Sequence, residues 1–139
     1  MSAEDKTLLQ AAFSAQKKAY VPYSQFRVGA AVLADDGQIY TGCNIENSSY
    51  GATNCAERTA IFKAVSTGVR KITKMAVITD ADEYARPCGI CRQVISEFAD
   101  PDFKLLAAKP DGTFITLTMY DLLPGAFTQD SLAKQISTH

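Results

Sequence analysis

Three of this chain's four cysteines fall in two short stretches that offer them to a single metal ion. Pro87-Cys88-Gly89-Ile90-Cys91-Arg92 places two thiols three residues apart, a spacing that stacks them on one helical face. Earlier in the chain, Thr53-Asn54-Cys55-Ala56-Glu57-Arg58 supplies a third thiol and, two positions on, a carboxylate. A CxxC pair alone also serves redox dithiols and structural zinc modules, so the added cysteine is what points to a metal. Three thiolates leave one position of a tetrahedral Zn²⁺ open, which distinguishes a catalytic site from a structural one.

Few residues are left to fill that position. The only histidine, His139, is the last residue, a poor place for a ligand. Cys43 lies in a strand-like run, Ile39 to Ile45, without a CxxC partner. Two readings of it stand: a small buried apolar residue, or a fourth thiolate that closes the site and makes the zinc structural. Water in the open position is the reading adopted.

Zn²⁺ lowers the pKa of a water it holds to about 7, but the released proton needs a carrier. Glu57 is the candidate, in the same helical turn as Cys55 yet not a ligand. An ordinary first-turn glutamate would also suit a helix dipole, but the neighbouring thiols favour the proton carrier. Three thiolates on a dication leave net negative charge. The helices opening at Cys55 and Cys88 would offset it with their positive ends, and Arg58 would donate to a ligand sulfur. Gln93 is a further candidate for this supporting role, and Arg92 either shares it or is a solvated surface arginine.

The stretches C-A-E-R and P-C-x-x-C-R-Q resemble the zinc nucleoside deaminases, most of all the small homotetrameric cytidine deaminases. The resemblance extends through V-P-Y-S-x-F-x-V-G-A-A from Val21, G-C-N-I-E-N from Gly42, T-A-I-F-K-A-V from Thr59 and L-L-P-x-A-F from Leu122, roughly residues 5–127. It implies hydrolytic deamination of cytidine and deoxycytidine in pyrimidine salvage, with one Zn²⁺ per subunit held by Cys55, Cys88 and Cys91. Glu57 would shuttle protons from the water to N3 and to the departing amine, and the N–H of Ala56 would hold the pyrimidine carbonyl edge. Asn44 and Glu46 would hold the ribose hydroxyls, an amide and a carboxylate together suiting a diol. Phe26 would line the same pocket, although a core phenylalanine is the plainer reading. Phe127 would cover the base in a neighbouring subunit's pocket, with Tyr50 near a subunit contact. Arg86 stands where serine is common in the family, and Ile90 where a smaller residue is common; both bear on the pocket rim.

The elements that must position these residues follow from periodicity and breakers. Ser2-Ala3-Glu4-Asp5 resembles a capping box, and Leu8, Leu9, Ala12, Phe13, Gln16, Ala19 and Tyr20 follow at helical spacing up to Pro22. Residues 26–34 and 38–45 read as a hairpin about Asp35-Asp36-Gly37, and the small Gly29-Ala30-Ala31 calls for a close neighbour. A polar loop leads to the Cys55 helix, with Gly68 just past its end. Residues 74–79 read as a central strand, and the Cys88 helix runs through Val94, Ile95 and Phe98. Residues 103–108 and 114–118 are strands about Pro110-Asp111-Gly112; 120–123 form one helical turn, and 131–137 a last short helix. The order α-ββ-α-β-α-β-β-α predicts a three-layer α/β/α sandwich with a mixed five-stranded sheet, the cytidine deaminase-like fold, in one domain over 1–139. The ligands should lie at the ends of central strands.

Composition sets limits on partners. Fifteen acidic against fourteen basic residues give a net charge of −1 with no basic run, so a nucleic acid partner is not expected. No stretch approaches the roughly 20 apolar residues of a membrane span, and thiols committed to metal suit a cytosolic location. Leu122-Leu-Pro-Gly-Ala-Phe127 carries two breakers in a row before its phenylalanine, leaving Phe127 few neighbours; a homotetramer with sites shared between chains would bury it, and the alternative is that it plugs its own core. Two rivals remain, a deaminase of modified cytosine nucleosides such as blasticidin S and a non-catalytic zinc-binding interaction module. Asn44 and Glu46 disfavour the first, and Glu57 the second.

Overall fold

The computed structural model describes residues 2–128. Helix α1 (Ala3–Gln16) starts where the Ser2 hydroxyl accepts the Asp5 N–H at 3.0 Å. It ends four residues before the expected Tyr20. The backbone of Tyr20 is engaged elsewhere: its N–H donates to the Asn44 carbonyl at 3.0 Å, and its carbonyl accepts the Glu46 N–H at 2.9 Å. The hairpin β1 (Val28–Ala34) and β2 (Ile39–Cys43) is slightly shorter than predicted and turns through Gly37 at φ +82°. After a single 3-10 turn at Tyr50–Ala52 come α2 (Ala56–Ser66), β3 (Ile72–Thr79), α3 (Gly89–Phe98), β4 (Ala99–Ala108), β5 (Phe114–Thr118) and the short α4 (Met119–Leu122). The helix expected at 131–137 lies outside the described residues.

The sheet order is β2-β1-β3-β4-β5, antiparallel except for the β3–β4 pair. A parallel pair needs a crossover, and α3 supplies it, so α3 must begin near the end of β3. Alternation along the strands sorts the core into two layers. Ala30, Val32, Met75, Val77 and Leu105 pack with Ile61 of α2 and Ile95 of α3. Ala31, Ala76, Ile78 and Leu106 pack with Leu8, Leu9 and Ala12 of α1 on the other face. This is the three-layer mixed α/β arrangement predicted. Glycines let the helices close on the hairpin. A Cβ on Gly29 would lie 2.1 Å from the Ala12 carbonyl oxygen, and one on Gly42 would lie 2.4 Å from the Ala60 nitrogen.

Candidate metal centre and its cavity

Cys55 is the N-cap of α2 and Cys88 the N-cap of α3, and neither side chain caps its own helix. Both sulfurs are thereby free at helix ends whose N–H groups give a positive field. Cys91 sits in the first turn of α3, so the CxxC pair straddles the helix start rather than lying within it. The three Sγ atoms lie within 4.8 Å of one another, and Cys55 and Cys88 are 3.8 Å apart. Zinc–sulfur bonds of about 2.3 Å put the sulfurs of a tetrahedral site about 3.8 Å apart, so the three thiols fit one zinc ion. Among the described residues Cys43 is not part of the cluster, which leaves three protein ligands.

The electrostatics of the cluster also suit a cation. Hydrogen bonding from Cys91, then the hydrogen bond and charge of Arg58, bring the Cys55 thiol down to about 5 against the opposing effect of burial. The Cys91 thiol moves far upward because it donates to Cys55 and is itself buried. Three crowded sulfurs cannot all ionise unaided, and a divalent ion is what lets them. Arg58 donates from Nη2 to Cys55 Sγ at 3.3 Å, the supporting contact expected of it. Its Nε is buried and has no hydrogen-bond partner among the described residues.

Glu57 is 4% exposed, at the base of a cavity of about 200 Å³ beside the thiols. Burial pushes its carboxyl up to about 7, with the negative charge at Cys55 adding to the rise. Phe26, Asn44 and Ala56 line this cavity with Cys55, Glu57 and Cys88, as do Val77 and Thr79 of β3. The site therefore lies where β1 begins and β2 and β3 end. That is the expected edge of the sheet, although β2, which leads towards Cys55, is an edge strand rather than a central one.

Glu46 lines a neighbouring cleft with Tyr23, Ser24 and Tyr50, separated from the first cavity by their shared wall Thr53. Its carboxylate accepts the N–H groups of Tyr23 and Ser24, each at 3.1 Å, and the Ser24 hydroxyl. The hydrogen bonds from Ser24 hold it below the usual carboxylate range. Asn44 is equally engaged: Oδ1 accepts Val28 N–H at 2.9 Å and Nδ2 donates to the Phe26 carbonyl at 2.8 Å. Tyr50 is exposed and meets the Tyr23 ring edge-on at 6.4 Å. Phe127, 54% exposed, does not line the cysteine cavity of its own chain. Gln93 gives its amide to the Phe127 carbonyl at 3.0 Å rather than to a sulfur.

Other contributions were anticipated only in part. Arg92 is half-buried and no hydrogen bond joins it to a sulfur; it ties the Pro87 carbonyl (2.8 Å) to the Leu122 carbonyl (2.9 Å), bracing the CxxC turn against α4. Thr53 and Thr79 are walls of the cavity, and Arg86 lines both it and an adjoining chamber. Arg86 is marked in the sequence by its departure from the family pattern, and Thr79 only as a polar residue closing an apolar strand; nothing marks Thr53.

Fold and site together define an α/β domain with a three-thiol cluster suited to one zinc ion. The family model for the cytidine and deoxycytidylate deaminase zinc-binding region matches residues 2–107. A cytidine deaminase of Sporosarcina psychrophila is 54% identical over 119 residues, spanning 86% of this chain and 88% of the relative. One of Halalkalibacterium halodurans is 49% identical over 125 residues, spanning 90% and 95%. The crystal structure of cytidine deaminase from Burkholderia pseudomallei superimposes with a TM-score of 0.84 at 43% identity, covering 91% of this chain and 100% of that one. The chain belongs to the zinc-dependent cytidine deaminase family.

Proposed function

We propose that this chain catalyses the hydrolytic deamination of cytidine and deoxycytidine, releasing ammonia and the corresponding uridine, as a cytoplasmic homotetramer. The observation that carries the reading is the convergence of three thiols on two helix N-termini, with the buried carboxyl of Glu57 beside them. Zinc held there supplies the Lewis acidity that makes water a nucleophile near neutral pH.

The chain's own groups do the rest. A carboxyl held near 7 exchanges a proton readily at neutral pH. Glu57 takes one from the attacking water and delivers it to N3 of the pyrimidine; it then takes the remaining proton from the hydroxyl added at C4 and passes it to the amine, which leaves as ammonia. The Ala56 N–H opens α2, where helix geometry provides no intrahelical acceptor, and is available to the pyrimidine carbonyl. Phe26 walls the base. Asn44 keeps one amide proton and one lone pair beyond its backbone contacts, and with Glu46 it serves the sugar diol.

Assembly completes the pocket. About 200 Å³ is below the roughly 300 Å³ at which small-molecule sites begin. Phe127 is exposed outside its own chain's cavity, and Phe62, Ile90 and Tyr120 also present large apolar surfaces to solvent. A neighbouring chain's Phe127 would close the pocket over the base, with Tyr50 at the seam. Among the described residues no helix is long and apolar enough to cross a membrane.

Loss of cytidine absorbance by the zinc-loaded protein tests the activity. Glu57→Gln should keep one zinc per chain and lose about 10²–10⁴-fold in rate; a variant within tenfold of the parent would assign proton transfer elsewhere. Phe127→Ala should raise KM and weaken assembly together, and sedimentation showing an active monomer would refute the shared site.

A further inference from the structure

The segment that carries Phe26 is not part of the sheet, and its backbone passes through Gln25 at φ +56°. Besides Gln16, three side chains hold it: Glu46 at Tyr23 and Ser24, Asn44 at Phe26 and Val28, and Asp80 at Arg27. The first two are already assigned to the substrate. Asp80 has no such assignment, yet its carboxylate accepts three of the segment's donors, as many as Glu46 does. The Arg27 N–H reaches Oδ2 at 2.8 Å and Nε reaches it at 3.3 Å, while Nη2 meets Oδ1 at 3.1 Å. Gln16, at the end of α1, donates from Nε2 to Oδ1 at 3.3 Å and to the Arg27 carbonyl at 3.2 Å.

The position of this clamp has a consequence for the pocket. Phe26 and Val28 on one segment, and Val77 and Thr79 on the other, face the thiol cavity. Arg27 and Asp80, the intervening and following residues, do not line that cavity, and Gln16 at the end of α1 bonds both the Asp80 carboxylate and the Arg27 carbonyl, so the clamp lies on the α1 side. We propose that Asp80 is a positioning residue: by fastening Arg27 behind the sheet, it fixes how far the Phe26–Val28 wall stands from the Thr79 wall. It sets the width of the slot that receives the pyrimidine and touches neither substrate nor metal ligand. A fork of two guanidinium bonds plus a backbone N–H specifies geometry that a single surface ion pair does not.

This inference rests on the deaminase reading, and cytidine turnover by the unaltered holoenzyme tests that reading separately. In zinc-loaded Asp80→Ala, the KM for cytidine and the inhibition constant of the product uridine should both rise about three- to tenfold, the range set by loss of one well-placed aromatic contact. Zinc content should stay at one per chain and kcat within about threefold of the parent. Asp80→Asn keeps the shape and one good acceptor, and should lie between the two; it also serves if the alanine variant folds poorly. Arg27→Ala should match Asp80→Ala. A lowered melting temperature with KM and the uridine constant unchanged would show a sheet-end ion pair with no bearing on the pocket. Loss of zinc with collapse of kcat would move the effect to the Cys88 loop, and either result overturns the proposal.

Discussion

Gly42→Ala is the substitution whose cost the structure sets out most directly. Gly42 lies on β2 beneath α2, the helix that begins with Cys55 and carries Glu57. An added Cβ would stand 2.4 Å from the Ala60 nitrogen, 2.6 Å from the Ala56 carbonyl oxygen and 2.9 Å from the Thr59 Cβ. Ordinary contact begins at about 3.5 Å, so α2 has to retreat by about 1 Å. None of the three atoms can swing aside by changing rotamer. Overpacking of this kind costs about 1–3 kcal/mol, and rigid neighbours place this case near 3. In a domain of this size that is a fall in melting temperature of about 10 °C. The same retreat displaces a zinc ligand and the proton carrier, for which 1 Å is worth about a hundredfold in rate.

Two parallel variants isolate the cause. Gly51→Ala meets nothing within 4 Å and should change neither quantity. Gly29→Ala would place its Cβ 2.1 Å from the Ala12 carbonyl oxygen on α1, which bears no zinc ligand or proton carrier. It should cost at least as much stability as Gly42→Ala, while the folded fraction keeps most of its turnover. Urea melts together with turnover per bound zinc make the comparison. If Gly42→Ala melts and turns over like the parent, or if Gly29→Ala loses as much rate per zinc, α2 is not seated as described.

Three further outcomes are expected. Cys43→Ala should retain one zinc per chain and full turnover, since Cys43 stands apart from the thiol cluster; zinc loss in a metal assay would contradict the open-site geometry. Arg58→Ala removes a donor to Cys55 Sγ without removing a ligand, so zinc should bind about 10–100-fold more weakly in a chelator competition at unchanged secondary structure; unaltered affinity would make Arg58 a bystander. Asp80 is held below its ordinary range chiefly by its hydrogen bond from Arg27. A depressed carboxyl stabilises the fold fully above its unfolded pKa of about 3.9, and that stabilisation is lost as pH falls through the lower folded value. The urea-midpoint gap between parent and Asp80→Asn should therefore be constant above about pH 5 and close in stronger acid; a gap that persists there would place its origin outside the ion pair.

The parts of the site legible in the sequence are those set by local spacing. Cys88 and Cys91 are three residues apart, which one turn at a helix start brings together, and Glu57 lies in the first turn of the helix that Cys55 caps, so neither placement needs tertiary information. Layer order was legible for a similar reason, since alternation within each strand already sorts Ala30 from Ala31 and Met75 from Ala76. What stayed hidden are links between distant segments. Arg27 and Asp80 are separated by 53 residues, and Arg92 and Leu122 by 30, with no periodic pattern joining them. The early end of α1 belongs here too, because a helical pattern runs through Tyr20 while tertiary pairing with residues 44–46 claims its backbone. Asn44 and Glu46 suggest a ribose site, but only the structure shows that both also hold the loop bearing Phe26.

The charge on the metal centre explains why Arg58 is expected to tune the site rather than make it. Three thiolates and a divalent ion sum to about −1. Each helix N-terminus contributes roughly +0.5, and two meet here, at Cys55 and Cys88. Backbone geometry alone thus brings the centre near neutrality, and no side-chain substitution at either cap removes it while the helices remain. Arg58 adds a further positive charge beside the one sulfur that ionises most easily, which lets Glu57, next to it in sequence, carry negative charge in a buried position. Removing Arg58 leaves the ligands and both helix ends in place, so metal binding weakens by a finite factor. Removing Cys55, Cys88 or Cys91 instead breaks the ligand set, and the metal should be lost outright.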